Sequence, residues 1–129
     1  MGEEKMLSQE LKEFLQFLRW CQSEYQTCVN EVWRYDKQQQ DQLHDLEFAN
    51  SYEERNKIAT RVHKERVERR KYKDRKERVE KIAKFCSDSQ NKKFIDRLKS
   101  LIDEQERVEK YLSGERHYNR RGGDVNADS

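Results

Sequence analysis

Between Gly2 and Gly114 the chain has no glycine, and it has no proline anywhere. Helices can cross so long a stretch without interruption, whereas tight turns between strands lose the residues they favour most. Composition narrows this further. With 33% hydrophobic and 42% charged residues in 129, there is too little apolar surface for a thick globular core. Disorder is argued against by the missing proline and by aromatic residues at 10% of the chain. A thin helical assembly is what remains.

The periodicity agrees. Leu7, Leu11, Phe14, Leu18, Cys21, Tyr25, Cys28, Val32 and Tyr35 alternate spacings of four and three, the mark of a heptad seam. The seam runs on through Gln39, Gln42 and Leu46, so its last third is polar and is expected to be weakly buried. Ser51 to Glu54 reads as a capping box that opens a second helix. That helix has its own seam, Ile58, Val62, Glu65, Arg69, Tyr72, Lys76, Val79, Ala83 and Cys86, apolar only at its ends. The polar run Ser87 to Asn91 marks a second turn, after which Phe94, Ile95, Leu98, Leu101, Ile102, Val108, Tyr111 and Leu112 line one broad face.

The sequence therefore predicts an all-α fold, an elongated antiparallel three-helix bundle or coiled coil in which two long helices form a hairpin and a shorter third joins them. Expected bounds are about 7–49, 52–87 and 91–112 in a single domain over 1–112, with a mobile tail over 113–129 that includes the basic, aromatic "ERHYNRR". Short connections are expected to fold helix 2 back on helix 1 and helix 3 back on helix 2. Helix 3 should then cover the aromatic start of helix 1 and the end of helix 2. The hairpin over 36–65 is left without a third helix, and its incompletely covered Leu43, Leu46, Phe48 and Ile58 suggest a homodimer.

Charge divides the molecule. Residues 1–54 hold five Lys or Arg against twelve Asp or Glu, while Val62 to Lys84 hold eleven against five. The basic residues Lys64, Arg66, Arg69, Arg70, Lys73, Arg75, Lys76 and Arg78 admit three readings. They form a solvated face laced by acid-first pairs at i, i+4 (Glu65 with Arg69, Asp74 with Arg78, Glu77 with Lys81, Glu80 with Lys84), answered in part by Glu24, Glu31, Asp36 and Asp41 of the first helix. They present a surface to a protein partner. Or they grip the phosphates of a nucleic acid. Phe17 and Trp20 fall off the seam and are candidate partner anchors, whereas Trp33 flanks the seam and reads as bundle packing.

Chemistry-bearing patterns are sparse. Cys21, Cys28 and Cys86 make no CxxC pair and no zinc spacing, and read as reduced, buried thiols. Asp41 with His44, and His63 with Glu65 on the facing helix, fall short of a di-iron carboxylate set. No nucleophile lies beside a base and no Gly-rich loop cradles phosphate, so neither catalysis, a metal nor another cofactor is expected. The polar first residues and the lack of an apolar run near 18 residues argue against a signal peptide or a membrane span and for a cytoplasmic protein.

"QDQLHDLEF" (Gln40 to Phe48), "RVERRKYKD" (Arg66 to Asp74) and "RVEKYLSGERHYNRR" (Arg107 to Arg121) together resemble a loosely defined group of small helical accessory proteins of phages and integrated elements of Gram-positive bacteria. That group combines an LHxxE-like segment, a later RRxxKD-like segment and a basic, Tyr-containing C-terminus. The resemblance implies no activity and no functional residue. It implies a setting, a bacterial host cell in which such proteins bind and block or redirect a host or phage machine. The expectation is a non-catalytic interaction protein with a protein partner, and the alternative is a nucleic-acid-binding accessory protein using the basic stretch.

Overall fold

A computed structural model describes residues 6–114, and three helices account for nearly all of them: α1 (Leu7–Glu47), α2 (Tyr52–Ser87) and α3 (Ser89–Ser113). Among the described residues there is no strand, so the chain is all-α. Beyond Gly114 the expected tail, with its "ERHYNRR", lies outside the described residues. At 41, 36 and 25 residues the helices measure about 60, 54 and 37 Å.

α1 and α2 form the expected antiparallel hairpin. Glu24 meets Arg75, Tyr35 meets Tyr72 and Asp36 meets Arg69, so that stepping up α1 means stepping down α2. The connection is short because both ends are closed locally. The Phe48 N–H donates to the carbonyls of His44 and Asp45, ending α1 at Glu47, and the Ser51 hydroxyl accepts from the Glu54 N–H at 3.1 Å, opening α2. Only this half of the expected capping box forms. All nine seam residues of α2 are buried or half-buried, the fully buried ones lying at its ends, Ile58 and Val79 to Cys86.

α3 takes a different course from the expected one. Its contacts with α1 pair Glu109 with Ser8, Glu106 with Lys12 and Ile102 with Leu15, so it runs opposite to α1 and in the same sense as α2. The cause is the junction. Asp88 is the single non-helical residue, at φ −63° and ψ 131°. Its N–H donates to the Lys84 carbonyl, ending α2, while its carboxylate accepts from the Gln90 N–H at 2.9 Å, starting α3 at Ser89. Reversing a helix takes a loop of about two to five residues, and one extended residue only bends the path. Contacts between α2 and α3 accordingly cluster near the junction: Asn91 donates to the Phe85 carbonyl, the Phe85 and Phe94 rings meet edge to face, and Cys86 packs with Leu98.

The core sits where all three helices meet. Leu15, Leu18, Cys86, Leu98 and Ile102 are buried together, with Leu11, Ile82 and Ile95 against them. Beyond it the α1–α2 seam is closed by small side chains, Cys21, Cys28 and Ala83, which let the two helices approach closely. Because α2 stops near the level of Leu15, the first two turns of α1 pack on α3 instead. This rotates their buried face by one position: Ser8 and Leu15 are buried, while the seam residues Leu7 and Phe14 are exposed. The start of α1 has no side-chain cap of its own. Glu109 of α3 supplies one, accepting from the Ser8 N–H at 2.9 Å and the Ser8 hydroxyl at 2.5 Å.

At the hairpin tip the expectation of weak burial is only half met. Leu43 and Phe48 are exposed, but Ile58, Ala49 and Gln42 are buried. Gln42, 6% exposed, leaves its amide oxygen without a hydrogen-bond partner. No helix among the described residues is long and apolar enough to cross a membrane.

Candidate functional site

The eight basic residues singled out in α2 do not share one face. At about 100° per residue, Arg69 and Lys76 fall on the seam against α1, Arg66, Arg70 and Lys73 on one flank, and Lys64, Arg75 and Arg78 on the other. A single stripe for tracking phosphates is absent from this arrangement. Of the four acid-first pairs expected within α2, only Glu80 with Lys84 closes among the described residues, at 2.7 Å, joined by Glu68 with Lys71 at 2.9 Å.

The stronger pairs cross to α1. Arg69 Nε reaches Asp36 at 2.6 Å. Arg75 grips the Glu24 carboxylate with two parallel bonds of 2.8 Å, and its guanidinium lies over the Tyr72 ring, 4.9 Å from the centroid. The bond from Arg75 holds the Glu24 carboxyl below its usual range, and the same pairing raises the Arg75 guanidinium. Acidic α1 thus neutralises part of the basic helix, as the charge division implied.

Arg75 and Glu24 form one end of a groove between α1 and α2. Phe17 and Trp20 stand along one wall, 47% and 55% exposed, with Ile82 and Arg78 on the other and Cys21 and Val79 beneath them. The aromatic anchors and two of the basic residues, separate features in the sequence, are here one surface. α3 packs on the opposite side of α1, against Lys12, Leu15, Gln16 and Arg19, so nothing among the described residues covers this groove. Arg78 makes no ion pair among the described residues, although it is near enough to Glu24 to help depress its carboxyl. Sequence reasoning missed Glu24 and Ile82 as members. Glu24 was within reach of it, since 17, 20 and 24 follow the i, i+3, i+7 spacing of one helical face; Ile82 lies off the seam.

On the other flank Arg66, Arg70 and Lys73 have no ion-pair partner among the described residues, and Arg66 and Arg70 border Val67 and His63 on a shallow, open surface. Lys64 is likewise exposed. Trp33, expected in the packing, is 64% exposed with Lys37 over its ring at 5.2 Å, because α3 never reaches this part of α1.

Burial raises the Cys21, Cys28 and Cys86 thiols, which stay protonated and out of reach as nucleophiles. The His44 ring packs edge-on against Phe48, centroids 4.8 Å apart, and the described residues contain no group of three or more side chains suited to a metal ion. In comparisons with protein-family models, with curated proteins and with solved structures, nothing matches this chain.

Proposed function

We propose that the chain is a non-catalytic interaction protein that binds, and thereby inhibits or regulates, a protein machine, in the phage or mobile-element setting its short motifs resemble. The observation that carries this reading is the groove that gathers Phe17, Trp20, Arg75 and Arg78. Exposed aromatic side chains beside a fixed guanidinium are what binding hot spots are made of. The pairing of Arg75 with Glu24 leaves Arg78 as the unanswered charge, so the groove suits a segment carrying an apolar side chain next to a carboxylate. A surface of this kind acts by occupying its target.

Nuclease-treated capture from host lysate tests it, with the wild-type chain beside a Phe17→Ala, Trp20→Ala, Arg78→Glu variant. One protein retained in stoichiometric amount by the wild type and lost from the variant, at equal helicity, supports the groove. Retention that disappears on nuclease treatment, or that the variant keeps, overturns it. A second reading has its own observation. Arg66, Arg70 and Lys73 are unpaired among the described residues and, with Lys64 across the helix, are the residues a nucleic-acid-binding accessory protein would use.

A further inference from the structure

Beyond this groove, the outer face of α3 is a second exposed apolar surface. Phe94, Leu101 and Val108 recur every seven residues, with Leu112 one turn beyond Val108, and all four are about half exposed. They lie beside the buried stripe of Leu98 and Ile102, so α3 has a wider apolar face than α1 covers. Two charged residues edge the exposed stripe at the same seven-residue interval, Arg97 and Glu104, one turn before and one turn after Leu101. Neither forms an ion pair among the described residues.

This pattern is complementary to itself. When two copies of α3 lie antiparallel about a two-fold axis at Leu101, Leu101 meets its symmetry mate and Phe94 faces the mate of Val108. Arg97 then lies within one residue, about 1.5 Å along the axis, of the level of the mate of Glu104, and Glu104 likewise of the mate of Arg97, so each long side chain reaches its partner and the two pairs repeat as an isologous contact requires. A parallel pairing would instead set like charges against each other at both levels. We infer that the chain forms an antiparallel homodimer through α3, with Leu101 on the axis and two Arg97–Glu104 pairs closing it. At the hairpin over 36–65, Leu43 and Phe48 remain exposed but Ile58 is already covered, and the exposed pair lacks the seven-residue repeat of α3. The span from Phe94 to Val108 is only about 21 Å of helix, so the interface is small and the dimer weak.

Sedimentation equilibrium of the full chain up to about 0.5 mM, a range that reaches weak association, tests this. Arg97→Glu and Glu104→Arg are each expected to weaken the dimer about tenfold, because symmetry applies each reversal twice. The double reversal restores it to within about threefold, and Leu101→Asp abolishes it. Circular dichroism at the same helicity for all variants shows that association alone has changed. A wild type that stays monomeric throughout overturns the inference. So does a dimer that ignores the single reversals, or a double reversal that fails to restore it.

Discussion

Single side chains carry out-of-proportion work in so thin a molecule. The Glu109 carboxylate caps the start of α1 from another helix, and bonds from Ser8 and Gln105 hold its carboxyl below the ordinary value of 4.5. A carboxyl depressed on folding contributes stability that is complete above that ordinary value and is lost as pH falls through the depressed one. Thermal melts at pH 7 and pH 3 are therefore expected to differ, and Glu109→Gln to lower the melting temperature at pH 7 while narrowing the difference. A variant with unchanged acid sensitivity would assign the loss to other carboxylates, Glu24 first. Gln42 works in the opposite direction. A buried amide oxygen without a partner costs stability, so Gln42→Met is expected to add about 1 kcal/mol in urea unfolding. Loss of stability there would mean that the amide is satisfied in solution.

Among the elements, Asp88 decides the architecture, for it ends α2 and starts α3 with nothing between them. Asp88→Ala removes the cap and is expected to cost about 1 kcal/mol, measured by chemical denaturation. No loss would show that the junction holds without it. Leu98→Ala is expected to cost about 2 to 4 kcal/mol, because it empties the point where all three helices meet.

What the sequence made legible follows from what each signal depends on. The α2 seam was readable to the residue because its burial depends on one long neighbour at constant register. The first turns of α1 were misread by one position because their neighbour changes from α2 to α3, which no periodicity within α1 records. The course of α3 was misread for a related reason. Ser87 to Asn91 has the composition of a loop, yet one residue suffices to cap both helices, and the remainder joined them. The groove was half legible: its aromatic and basic members each stood out, but their meeting depends on the register of the hairpin.

For the molecule as a whole, an acidic first helix lies against a basic second one. Cross-helix pairs at Asp36–Arg69 and Glu24–Arg75 fix the register of the hairpin and remove part of the positive surplus from the surface. The rest is divided between two flanks, one of which joins Phe17 and Trp20 in the groove. On the proposed reading, such a molecule meets proteins rather than phosphates. The decisive measurement is anisotropy of labelled duplex and single-stranded oligonucleotides titrated with the full chain across a range of salt, beside the Arg66, Arg70, Lys73→Gln variant, which leaves the Asp36–Arg69 pair in place. Expected is no saturable binding below about 100 µM near physiological salt, for wild type and variant alike. Micromolar binding that weakens with a slope of about −0.9 per phosphate contacted on the duplex, and that the variant lacks, would contradict this and make α2 a nucleic-acid-binding helix.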